Sequence, residues 1–144
     1  MMAFCELSDK TETTVRFSEV DAMGIVWHGN FVKYMEDGRE SFGRRYGLGY
    51  YDLYEHGFQV PLVKLDINYK LQLRYGERIV IETIWVNCDA AKIQFRYRIY
   101  RKTDNAVLMT AGTTQVFLNM HGELELTNPE FYLEWKRRNG VADV

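Results

Sequence analysis

The sequence predicts an α+β fold in which a long, curved antiparallel β-sheet wraps around one central α-helix, with a short C-terminal helix. Three observations carry that prediction. Apolar residues recur at three- and four-residue spacing in one long stretch, from Asn30 to Tyr46. From Phe58 the pattern changes to alternation and holds it as far as Met120. The alternating runs are separated by tight turns, which favours antiparallel neighbours.

Residues 11–20 are rich in β-branched side chains, with Val15 and Phe17 alternating against Arg16 and Ser18, and read as the first strand. Gly24 and Gly29 permit tight turns on either side of Ile25-Val26-Trp27. The helix follows, with Phe31, Tyr34, Met35, Gly38, Phe42 and Tyr46 on one face. Asn30 reads as its N-cap, and Gly47 and Gly49 as its end. Gly38 in mid-helix costs up to about 1 kcal/mol relative to Ala, which close approach to a sheet or a ligand would offset. Residues 47–57, with Tyr50, Tyr51, Tyr54 and His56, read as a short second helix or a loop. Four long strands are then expected. Leu65, Ile67 and Tyr69 alternate in the first, 79–86 and 93–100 form the next two, and 107–120 the last, with Gly112 marking a bulge or close contact. Trp85 and Tyr100 are read as facing outward. Asn128-Pro129 opens a short helix through Arg138.

The 144 residues fit one domain, 1–144, and 47% hydrophobic with 26% charged residues is a globular composition. A net charge of -2 argues against nucleic acid as a partner. Cys5 and Cys88 lie in no metal-binding pattern and read as free thiols of a reducing compartment. Residues 1–10 are not a secretory signal, and no long apolar run suits a membrane, so a cytoplasmic location is expected. His28, His56 and His121 offer no ligand spacing, so neither metal nor cofactor is expected. The chemistry concentrates at Asp21. This acid lies a few residues before the helix N-terminus, where free N–H groups and the dipole favour negative charge. A carboxylate beside such an anion-stabilising end suits hydrolysis. Glu36, Asp37 and Glu40 form an acidic run read as a solvated face.

The segment Asp21-Ala22-x-Gly24-Ile25-Val26-Trp27-His28, then Asn30-Phe31 and a helix, resembles the signature of hotdog-fold acyl-CoA thioesterases of the 4-hydroxybenzoyl-CoA thioesterase type. Pro61-Leu62-Val63, Asn68-Tyr69 and Tyr75-Gly76-Glu77 are similar to that family's second and third strands, and the resemblance covers residues 15–118. It implies a hotdog fold, a homodimer pairing two sheets edge to edge or a homotetramer of such dimers, and active sites at the dimer interface. It implies Asp21 and His28 as catalytic positions, the backbone N–H near His28 polarising the thioester carbonyl. Gly24, Val26 and Asn30 become substrate-binding positions, and the substrate an acyl-CoA or acyl carrier protein thioester. Asp21 could attack the carbonyl or activate water; both routes stay open. A hotdog hydratase or dehydratase and a non-catalytic acyl-thioester binding protein are the competing readings.

Overall fold

A computed structural model describes residues 7–142. The elements run β1 (Leu7–Thr14), α1 (Asn30–Tyr46), α2 (Tyr50–Glu55), β2 (Leu62–Tyr69), β3 (Arg78–Val86), β4 (Lys92–Arg101), β5 (Val107–Val116) and α3 (Glu130–Arg138). The five strands form one sheet in the order β1-β3-β4-β5-β2, with every neighbouring pair antiparallel. The expected α+β class is borne out.

Alternation explains the core. Ile79, Ile81, Thr83 and Trp85 of β3 share a face with Ile93, Phe95, Tyr97 and Ile99 of β4, and all are buried. α1 packs on this face over β1 and β3. Gly38 is where helix and sheet come closest, since a Cβ there would overlap Thr83 Oγ1 and lie 2.7 Å from Ile81 Cγ2. The Phe42 ring meets Phe95 edge-on at 5.1 Å. Gly47 closes α1 in the left-handed conformation, φ 72°, its amide donating to Gly43 O.

Several expectations are corrected. Residues 11–20 are not one strand. β1 ends where Thr14 pairs with Arg78, the first residue of β3. Beyond it the partner has turned away, so Val15 bonds to the turn itself, its amide to Glu77 O at 2.9 Å and its carbonyl to Gly76 N at 3.1 Å. The chain then coils into a single 3-10 turn, Phe17–Glu19, and Phe17 is exposed against the edge of Tyr75. Nor do β2 and β3 pair, despite their short connection. β1 occupies the open side of β3, so β2 lies at the far edge against β5. The 70–77 link crosses between them, anchored by the buried Leu73. Residues 47–57 contain the short helix α2, whose Tyr50, Tyr51 and Tyr54 point to solvent.

Trp85 faces inward, because α3 closes that end of the core. Its indole N–H donates to Tyr132 OH at 2.9 Å, and Trp135 donates to Tyr46 O at 2.7 Å. The buried Lys136 reaches Cys88 O at 3.0 Å across the faces of Trp85 and Tyr132. Cys88 is a free thiol, and Cys5 lies outside the described residues. Among the described residues, no helix is long and apolar enough to cross a membrane.

Candidate active site

The chain between the 3-10 turn and α1 folds into a small hairpin. Val20 pairs antiparallel with Val26, Asp21 N donates to Ile25 O at 2.8 Å, and Gly24 N donates to Asp21 O at 2.9 Å. Gly24 sits at φ 78°, a conformation that favours glycine. Asp21 is half-buried. Its Oδ1 accepts from Met23 N at 2.8 Å and Ile25 N at 3.4 Å, which orients the carboxylate while Oδ2 has no partner among the described residues.

The helix entrance differs from expectation in one respect. Gly29, not Asn30, occupies the cap position; Asn30 is the first helical residue and is buried. Its side chain cannot cap because it faces the hairpin, where Nδ2 donates to Glu19 O at 2.8 Å. First-turn amides are already engaged: Asn30 N with Trp27 O at 2.9 Å, Phe31 N with His28 O at 3.3 Å and Val32 N with Gly29 O at 3.3 Å. The amides of His28 and Gly29 find no acceptor among the described residues. Two adjacent N–H groups therefore remain at the positive end of α1, the usual requirement for holding an anion. The Trp27 indole lies over Gly29, where any Cβ would overlap the ring.

Beside this entrance lies a cavity of about 280 Å³, walled by Ile25, Val26, His28, Phe31, Tyr69 and Leu73. Tyr69, the last residue of β2, donates its hydroxyl to His28 O at 2.9 Å and packs edge-on against Phe31 at 5.4 Å. The exposed His28 ring lies 5.0 Å from Trp27 and 6.3 Å from Tyr69 between centroids. Of the residues read from the sequence, Val26 and His28 line the cavity, Asp21 and Gly24 form the turn of the hairpin, and Asn30 is buried outside the lining, bonded to Glu19 O. No hydrogen bond joins Asp21 to His28.

Sequence reasoning does not single out Glu19 and Tyr34 as site residues, and it reads Tyr69 only as part of a strand. Tyr34 reads as one more apolar residue of α1, yet its hydroxyl donates to Glu19 Oε1 at 2.8 Å. Burial, and then Glu19, hold its phenol pKa well above the ordinary tyrosine value, so it stays a donor. The signal was the four-residue spacing of Asn30 and Tyr34, which puts two polar tips on one helix face. In the acidic run, Glu36 faces Arg39 at 3.8 Å and Glu40 faces Arg44 at 3.3 Å. The Asp37 carboxyl is raised above its ordinary pKa by burial and by Glu40.

At the far edge of the sheet, β2 turns Leu62, Leu65, Ile67 and Tyr69 to the same side as the core. α1 covers β1 and β3 instead, leaving Leu62, Leu65 and Tyr69 between 38% and 49% exposed.

Residues 15–136 match the family model of the Thioesterase-like superfamily. The putative acyl-CoA thioesterase YneP of Bacillus subtilis (strain 168) is 38% identical over 91 residues, spanning 63% of this chain and 66% of YneP. That is just under two thirds of the relative's length. Among solved structures, the hypothetical protein TT1821 from Thermus thermophilus superposes with a TM-score of 0.78 at 28% identity, over 93% of this chain and 98% of that one. The 4-hydroxybenzoyl-CoA thioesterase from Pseudomonas sp. strain CBS-3 does so with a TM-score of 0.76 at 23% identity, over 89% and 98%. The hotdog architecture expected from the sequence is thereby borne out. With α1, the hairpin and strands β2 to β5 all inside the matched region, the chain belongs to the thioesterase-like superfamily.

Proposed function

We propose that this protein is an acyl-CoA thioesterase, a single hotdog domain that hydrolyses an acyl-CoA thioester to the free acid and CoA. The observation that carries the reading is the pair of unengaged amides at His28 and Gly29, at the entrance of α1 beside an apolar cavity. Thioester hydrolysis builds negative charge on the carbonyl oxygen, and one well-placed N–H donor is worth about 3 kcal/mol in the transition state. The N-terminal end of α1 adds to that without a charged side chain. Asp21 serves as nucleophile or general base through the oxygen its own turn leaves free. Gly24 shapes the turn, Val26 forms part of the acyl wall, and Asn30 holds the hairpin to the helix.

The likeness to the putative acyl-CoA thioesterase YneP supports acyl-CoA as the substrate class. The cavity wall of Ile25, Val26, Phe31 and Leu73 suits a short alkyl chain or one aromatic ring. A homodimer through the β2 edge accords with the half-exposed Leu62, Leu65 and Tyr69, since an open apolar edge strand is ready to pair. The free thiol of Cys88 accords with the cytoplasm.

Incubation of the purified protein with aliphatic and aromatic acyl-CoA esters, with free CoA followed by a thiol reagent, tests the reading. Turnover of at least one ester class is expected, and no release of CoA from any of them would overturn it. Acyl carrier protein esters run alongside distinguish the carrier.

A further inference from the structure

Glu19 stands two residues before Asp21 and accepts hydrogen bonds from three different segments. Its carboxylate Oε1 takes Arg16 N and Tyr34 OH, each at 2.8 Å. Its backbone carbonyl takes Trp27 N at 3.1 Å and Asn30 Nδ2 at 2.8 Å. The donors belong to the 3-10 turn, to the returning arm of the hairpin and to the first two turns of α1. One residue thus ties both arms of the Asp21 hairpin to the helix whose free amides lie at its entrance.

The tie is built to be specific. Tyr34 is 1% exposed, so its hydroxyl would be left unpaired in the core without Glu19. Burial and Glu19 both raise the Tyr34 phenol pKa, so the hydroxyl stays protonated and donates at neutral pH. The returning arm is also anchored to the 70–77 link, by Val26 N on Leu73 O at 2.7 Å and by the Ile25–Arg74 bridge.

We propose that Glu19, through Tyr34 and Asn30, is the positioning residue that sets the Asp21 carboxylate against the His28 and Gly29 amides. The proposal rests on the hydrolase reading for its kinetic consequence and on geometry alone for the tie itself. A displacement of the carboxylate by an ångström costs about 10- to 100-fold in the chemical step while binding is little changed.

Three variants test it: Glu19→Ala, which removes the carboxylate; Glu19→Gln, which keeps an oxygen for Arg16 N and Tyr34 OH; and Tyr34→Phe, which removes one donor. Glu19→Ala is expected to lower kcat by about 10- to 100-fold with KM little moved. Glu19→Gln is expected to restore most of the rate, and Tyr34→Phe to fall between them. Amide hydrogen exchange supplies a readout that needs no turnover. The amides of Asp21, Val26 and Trp27 should exchange faster in Glu19→Ala, while those of β4 keep their wild-type rates. Wild-type exchange at those three amides, or a wild-type kcat in a folded Glu19→Ala, would overturn the proposal. Tyr34→Phe carries the same comparison should Glu19→Ala not fold. A wild type that turns over no acyl-CoA overturns the hydrolase reading instead, and the exchange rates still decide the tie.

Discussion

Asn30 and Tyr34 lie one helical turn apart, and both spend their polar atoms on Glu19. From the sequence, an asparagine ahead of an apolar run reads as a cap, because its oxygen suits orphan amides. The structure turns the Asn30 side chain to Glu19 O instead and leaves Gly29 at the cap position, a contact across eleven residues that no periodicity reveals. The place of Asp21 ahead of the helix was legible, since it needs only local order. Asp37 shows the electrostatic cost of this crowded end of α1. Its pKa is raised by burial and then by Glu40, with Glu19 and Glu36 adding to it and Arg16 opposing. A carboxyl raised in the folded state destabilises above its folded pKa and costs nothing below its unfolded one. Asp37→Asn is therefore expected to raise stability at neutral pH by less than about 0.5 kcal/mol. The gain should vanish near about pH 3, where the carboxyl is protonated in both states. Urea midpoints at the two pH values check this, and an equal gain at both would refute the electrostatic cause.

α1 was legible as an element because its apolar residues keep one period from Phe31 to Tyr46. Its depth on the sheet was not, and Gly38 sets it. Replacing Gly38 with Ala gains about 1 kcal/mol of helix propensity, but the new methyl meets Thr83 Oγ1 and Ile81 Cγ2, both on buried β3 residues. Overpacking of this kind costs about 1–3 kcal/mol, so Gly38→Ala is expected to lower the urea midpoint. Thr83→Ala in the same chain should recover part of the loss, because it removes the atom struck and a hydroxyl that has no partner in the core. A more stable single variant would show that the helix can lift away freely. β1 and the β2–β3 link were misread for one reason. Alternation reports which residues face a core, whereas pairing depends on where a partner strand ends, and Thr14 meets the end of β3.

Across the whole molecule, β4, β5 and the sheet's wet and dry faces follow from alternation, and the strand order does not. The order matters for function because it leaves β2 at an edge, next to the cavity and connected to it through Tyr69. Leu65 is 38% exposed there, so Leu65→Glu should leave the monomer folded. In the proposed dimer the same charge would be buried against the second copy, and association is expected to weaken at least about 10-fold. Sedimentation of wild type and variant checks this; a wild type that sediments as a monomer would remove the dimer from the scheme. In the proposed reaction, turnover depends above all on the Asp21 carboxylate. Asp21→Asn keeps the size of the side chain and an oxygen for the Met23 and Ile25 amides, but it removes the charge that attacks or draws a proton from water. The direct measurement is kcat/KM for the best acyl-CoA ester, wild type and Asp21→Asn side by side, with circular dichroism showing both folded. A fall of about 100- to 10,000-fold is expected, and a variant within about threefold of wild type would contradict the assignment of Asp21.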